Sequence, residues 1–70
     1  MDRENVQSSN LKSIGYDSNS STLEVEFNSG VIWQYYDVLE STYYELKSAS
    51  SIGKYFNANI KGSHSETQVG

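Results

Sequence analysis

The sequence predicts an α+β fold: a three-stranded antiparallel sheet followed by two short helices packed on one of its faces. Three observations carry that expectation. Residues 22–38 alternate apolar and polar on both sides of Asn28-Ser29-Gly30, which is the mark of a β-hairpin. Beyond residue 38 the apolar spacing changes to three and four residues, which is helical. Ser and Asn cluster at 17–21, a turn that separates the hairpin from an earlier strand.

The first strand is read at residues 12–16, with Ile14 and Tyr16 on one face. Gly15 within it signals a bulge or the close approach of another backbone. The second strand, residues 22–27, puts Leu23, Val25 and Phe27 on one side and Thr22, Glu24 and Glu26 on the other. The third, residues 31–38, puts Val31, Trp33 and Tyr35 opposite Ile32, Gln34 and Tyr36. Register decides which rings are interior. A three-residue loop closed by Gly30 pairs Phe27 with Val31, Val25 with Trp33 and Leu23 with Tyr35, gathering the apolar side chains on one face. A two-residue Ser-Gly turn would instead set Trp33 and Tyr35 beside Glu26 and Glu24. The first register satisfies turn chemistry and hydrophobic pattern together. The loop at residues 18–21 then pairs Ile14 with Val25 and Tyr16 with Leu23.

Leu39, Tyr43 and Leu46 form the stripe of a first helix over about residues 39–48, with Thr42 and Glu45 spaced as a capping box. Ser50 or Ser51 caps a second helix over about residues 51–61, whose inner stripe is Ile52, Tyr55, Phe56 and Ile60 and whose stop is Gly62. The expected core is therefore Ile14, Tyr16, Leu23, Val25, Phe27, Val31, Trp33, Tyr35 and Leu39, with Tyr43, Leu46, Ile52, Tyr55, Phe56 and Ile60. By composition residues 1–9 are a loose arm, residues 10–62 the single domain and residues 63–70 a disordered tail.

Composition narrows the function. Seventy residues make one domain. A chain this size buries only about 60% of its unfolded surface, so the aromatic rings must supply much of the core. There is no Cys and one His, which leaves no thiolate nucleophile, no disulfide and no expected metal site. No apolar run reaches the ~20 residues of a membrane span, and residues 1–4 lack the profile of a signal peptide, so a cytoplasmic protein without membrane contact is expected. The net charge is −4, unevenly spread: residues 1–45 carry two cations against eight carboxylates, residues 46–70 three against one.

Three blocks of the chain resemble the KTSC domain family. They are Ser8-Ser9-Asn10-Leu11-Lys12-Ser13-Ile14-Gly15-Tyr16-Asp17, then Leu23-Glu24-Val25-Glu26-Phe27-Asn28-Ser29-Gly30, then Ser51-Ile52-Gly53-Lys54-Tyr55-Phe56-Asn57-Ala58-Asn59-Ile60-Lys61-Gly62. That family is named for a C-terminal module of some lysyl-tRNA synthetases and includes small stand-alone bacterial proteins. Its central Tyr-x-Tyr reads Trp33-Gln34-Tyr35 here, its Val-Pro-Glu-Ser reads Val38-Leu39-Glu40-Ser41, and Ser63-His64 stands where a Tyr is common. The attachment to a synthetase implies RNA binding by association.

Candidate residues follow. His64, in the tail with no partner at triad or ligand spacing, is expected to be solvated. Glu24 and Glu26 read as a solvated strand face rather than an acid–base pair, which would need a cleft. No catalytic residue, cofactor or small-molecule substrate is expected. For a nucleic-acid contact the candidates are Lys47, Lys54 and Lys61 to phosphate, Asn57 to sugar or base, and Tyr36 as a stacking ring. Trp33 and Tyr35 would stack only if the sheet face were open. The sequence thus leaves two readings of a non-enzymatic binding module. One binds RNA, tRNA-like or single-stranded. The other meets a protein partner through the acidic sheet face (Thr22, Glu24, Glu26, Gln34, Tyr36) or a sheet edge.

Overall fold

The hairpin settles the register. In the computed structural model, which describes residues 1–70, Val25 pairs with Trp33 and Leu23 with Tyr35. The amide of Phe27 donates to the carbonyl of Val31 at 2.9 Å, and Gly30 takes the left-handed conformation, φ 96°, that closes a three-residue loop. Ile14 faces Val25 and Tyr16 faces Leu23 across the preceding turn, as the pattern predicts. In that turn the Asp17 carboxylate accepts from the Asn19 amide at 3.0 Å and the Ser20 hydroxyl at 2.9 Å.

The chain runs β1 (Glu4–Asn5), β2 (Leu11–Asp17), β3 (Thr22–Phe27), β4 (Ile32–Tyr35), α1 (Glu40–Ser48), α2 (Ile52–Asn59) and β5 (Glu66–Gln68). The five strands form an antiparallel meander in chain order, and the two helices, inserted before β5, cover one face. The α+β layering is the expected one, but the sheet has five strands rather than three. Composition marks the two ends as arm and tail, whereas each contributes an edge strand: β1 pairs with β2 and β5 with β4. Both are short and exposed on their two faces, so neither carries an apolar alternation to read.

The core is Leu11, Ile14, Leu23, Val25, Tyr35, Val38, Tyr43, Leu46, Ile52, Phe56 and Ile60. Phe56 lies at its centre, edge-on to Tyr35 at 5.3 Å and to Phe27 at 5.7 Å between ring centroids. Tyr16 stacks on Tyr43 at 5.0 Å and donates its hydroxyl proton to the Val38 carbonyl. Trp33, Tyr55 and Val6 pack half-buried around this centre.

Three expectations about the core are corrected. Leu39 is 68% exposed, because it is the extended N-cap of α1 and the left-handed Asp37, φ 56°, turns Val38 inward in its place. The Thr42–Glu45 capping box is accordingly not formed, and α1 begins without a side-chain cap. Leu11 joins the core because an irregularity between Leu11 and Ser13 resets the alternation, so that Leu11 and Ile14 both face the helices. Val31 is only half-buried and stands outside the core cluster. The second helix starts as read, with the Ser51 hydroxyl accepting from the Lys54 amide.

Candidate functional site

The outer face of the sheet is the first place to test. Its carboxylates are not a solvated acidic surface: Glu24 is only 7% exposed. Arg3, just ahead of β1, reaches across to form an ion pair with Glu24 and lies 3.9 Å from Glu26. The same guanidinium donates to Ser13 at 3.0 Å, and Ser13 donates to Glu26 at 2.9 Å. From the other side Gln34 donates to Glu24 at 2.9 Å, and the Tyr36 hydroxyl donates to Gln34 at 3.2 Å. Burial pushes the Glu24 carboxyl up, but the hydrogen bonds from Gln34 and Arg3 and the charge of Arg3 outweigh it and hold the group below its ordinary value. The face is thus a satisfied polar network whose acid is neutralised from within the chain. Gly15 explains how the arm gets there. A Cβ at that position would stand 2.3 Å from the Asp2 carbonyl oxygen, so the close approach expected of Gly15 is made by residues 2–3.

The candidate aromatics are placed differently from one another. Tyr35 is 3% exposed, and burial, with Glu66 adding to it, pushes its phenol up to about 12. Trp33 is half-buried against the core on the helix side. The inward register therefore closes Tyr35 to stacking and turns Trp33 toward the helix side, where it is half-buried. Tyr36 is half-buried and tied into the outer-face network. Its hydroxyl bonds Gln34 on the outer face, and it is not among the residues that meet Lys54 and Asn57. His64 is not free in solvent either: its Nδ1 lies 3.0 Å from the Tyr36 carbonyl oxygen, where it helps seat the chain entering β5.

The lysines also separate. Lys47 on α1 pairs with Glu4 at 3.1 Å and lies 5.4 Å from the centre of the Tyr43 ring. The hydrogen bond to Glu4, with the field of Tyr43, raises its ammonium above the ordinary value. Lys54 and Lys61 are exposed and have no ion-pair partner.

Lys54 and Asn57 do meet, in a polar groove of about 340 Å³ between residues 7–10 on one wall and residues 50–54 with Asn57 on the other. The sequence pattern missed Gln7, Ser8, Ser9, Asn10, Ser50 and Gly53 as partners of Lys54. Ile52 is the one apolar residue in the lining. Ser8 accepts from the amides of Asn10 and Leu11 at 3.2 and 3.3 Å, which bends the first wall. Asn28 at the hairpin turn pins its far end, donating from its side chain to the Ser9 carbonyl at 2.8 Å and from its amide to the Asn10 carbonyl at 2.9 Å. The lining contains no carboxylate, although the chain holds nine, and its single charge is the Lys54 ammonium. It contains no imidazole, thiol or carboxyl. The groove presents hydroxyl, amide and ammonium groups to solvent.

The two walls come from the first and last of the blocks that resemble the KTSC family, and comparison with known proteins bears on that. The KTSC domain family model matches residues 7–64. The chain belongs to the KTSC domain family. An uncharacterised protein of Stutzerimonas stutzeri is 42% identical over 64 residues, spanning 91% of this chain and 90% of that one. A lysine–tRNA ligase of Nostoc punctiforme is 38% identical over 52 residues, 74% of this chain but 9% of the ligase. The KTSC domain thus spans about a tenth of such a ligase. The crystal structure of a KTSC domain protein from Yersinia pestis superposes with a TM-score of 0.96 at 36% identity, covering 99% of this chain and 97% of that one. No catalytic family is indicated for the domain itself, and no helix is long and apolar enough to cross a membrane.

Proposed function

We propose that this KTSC domain is a non-enzymatic module that binds RNA in the groove between residues 7–10 and α2. The observation that carries the reading is the lining: in a chain of net charge −4, it excludes every carboxylate and presents one unpaired ammonium among hydroxyl and amide donors. Such a surface suits a sugar–phosphate backbone. Lys54 contacts phosphate, Asn57 and Asn10 hydrogen-bond sugar or base, and Lys61 extends the contact past the end of α2. Lys47, bound to Glu4, contributes little. The likeness to lysine–tRNA ligases supports an RNA of the tRNA kind or a single strand, and with it a cytoplasmic setting.

So few charge contacts make an isolated domain a weak, salt-sensitive binder, whose affinity rises when it is tethered to a larger RNA-binding protein. The competing reading, a protein partner on the acidic sheet face, loses its main support because Arg3 already neutralises Glu24 there. The free edges are two and three residues long, which is little template for an added strand.

The test is an NMR titration of the full chain with single-stranded RNA and with tRNA at about 100 mM salt. Shifts are expected at Ser8, Asn10, Gly53, Lys54 and Asn57, and Lys54→Glu abolishes them. Absence of shifts at millimolar RNA, or shifts that survive Lys54→Glu, refutes the reading.

A further inference from the structure

The wall formed by residues 7–10 does not stand alone. It is the direct continuation of β1, a strand of two residues that is fastened on both faces. Arg3 is held on the outer face by Glu24, Glu26 and Ser13. Glu4 is held on the opposite face by Lys47 of α1, at 3.1 Å. Val6 packs on the core, and its amide donates to the Lys12 carbonyl at 3.0 Å. Glu4 and Asn5 themselves remain exposed and add no buried apolar surface. Short, exposed edges of this kind open locally at far lower cost than the whole domain.

We infer that residues 2–6 form a latch, and that its docking sets the shape and the affinity of the groove. The inference rests on the groove being the binding site and adds how that site is controlled. Asn28 fixes the wall at Ser9 and Asn10. Between that point and Val6 only Gln7 and Ser8 remain; the Ser8 hydroxyl is tied to the Asn10 and Leu11 amides, so the latch sets the path of Gln7 and the approach of Ser8 to Gly53. Opening it moves the Gln7–Ser8 side of the groove away from Gly53 and Lys54. Affinity then scales with the fraction of molecules in which the latch is closed, and by linkage a bound ligand holds the latch shut. The clasp lies on the far side of the sheet from the helices, so contacts made to Arg3 or Glu24 there would change binding without touching the groove.

Two variants open the latch by different means. Gly15→Ala places a methyl group where the Asp2 carbonyl must pass, at 2.3 Å, and Arg3→Ala removes the clasp itself. The first readout needs no ligand: hydrogen exchange at the Val6 amide, with the chemical shifts of Ser8, Gly53 and Lys54. Both variants are expected to speed Val6 exchange at least tenfold and to shift those groove amides. The second readout is affinity for the single-stranded RNA, expected to fall several-fold while shifts at Lys54 and Asn57 persist. Faster Val6 exchange with unmoved groove amides overturns the latch, as does an unchanged RNA affinity. Unaltered Val6 exchange in Arg3→Ala overturns it also. If the parent protein binds no RNA, the ligand reading falls, and the ligand-free readout still decides whether latch and groove are coupled.

Discussion

Replacing Phe56 by Ala tests the packing that holds the groove's second wall in place. The ring is 1% exposed and meets both Tyr35 and Phe27 edge-on. Removing it forfeits roughly 1.5–3 kcal/mol of apolar burial. The two aromatic contacts add about 0.5–1.5 kcal/mol each. The sum, about 2.5–6 kcal/mol, brackets the range of about 3–5 kcal/mol for Phe→Ala changes in cores that relax only in part. A domain of this length retains about 3–5 kcal/mol in total, so Phe56→Ala should be largely unfolded in water at 25 °C. The assay is urea unfolding followed by Trp33 fluorescence and near-UV circular dichroism. Trp33 packs against the same cluster, so its emission reports the loss directly. A folded, cooperative variant that loses less than about 1.5 kcal/mol would refute the packing argument.

Other expectations are as direct. Leu39→Ala should change stability by no more than about 0.5 kcal/mol, whereas Leu11→Ala should cost about 2–5 kcal/mol, and urea midpoints compare the two. Glu24 supplies a pH dependence whose sign is fixed by its lowered value. The unfolded chain holds this proton more tightly, so the contribution is complete above about 4.5 and is lost as pH falls through the lower native value. Unfolding midpoints between pH 7 and pH 3 should therefore fall less steeply in Glu24→Gln than in the parent, and equal slopes would show that Gln34 and Arg3 do not stabilise the carboxylate.

Much of the fold is legible in the sequence because its strongest signals are local and periodic. The three-residue loop at Asn28-Ser29-Gly30 fixes a register, and that register buries Tyr35 and packs Trp33, half-buried, against the core. What escapes is what periodicity does not encode. A bulge after Leu11 breaks the alternation that would have marked it as core. The left-handed turn at Asp37 exchanges the roles of Val38 and Leu39, which hydropathy alone treats as equal. β1 and β5 are polar and recognisable only through the partners they find. The site was half visible. Lys54 and Asn57 fall on the exposed side of an amphipathic helix, but Ser8 and Asn10 reach them only because Asn28 pins their loop. The burial of Glu24 was invisible for the same reason: its partner Arg3 lies twenty-one residues away in a segment that composition assigns to solvent.

The most direct measurement is the salt dependence of affinity for a single-stranded RNA, compared between the parent protein and Lys54→Ala. Each phosphate neutralised on a single strand contributes about 0.7 to the slope of log K against log salt. With Lys54 as the charge of the groove, the variant's slope should be shallower by about 0.7. An identical slope, at any affinity, would place the RNA elsewhere on the molecule.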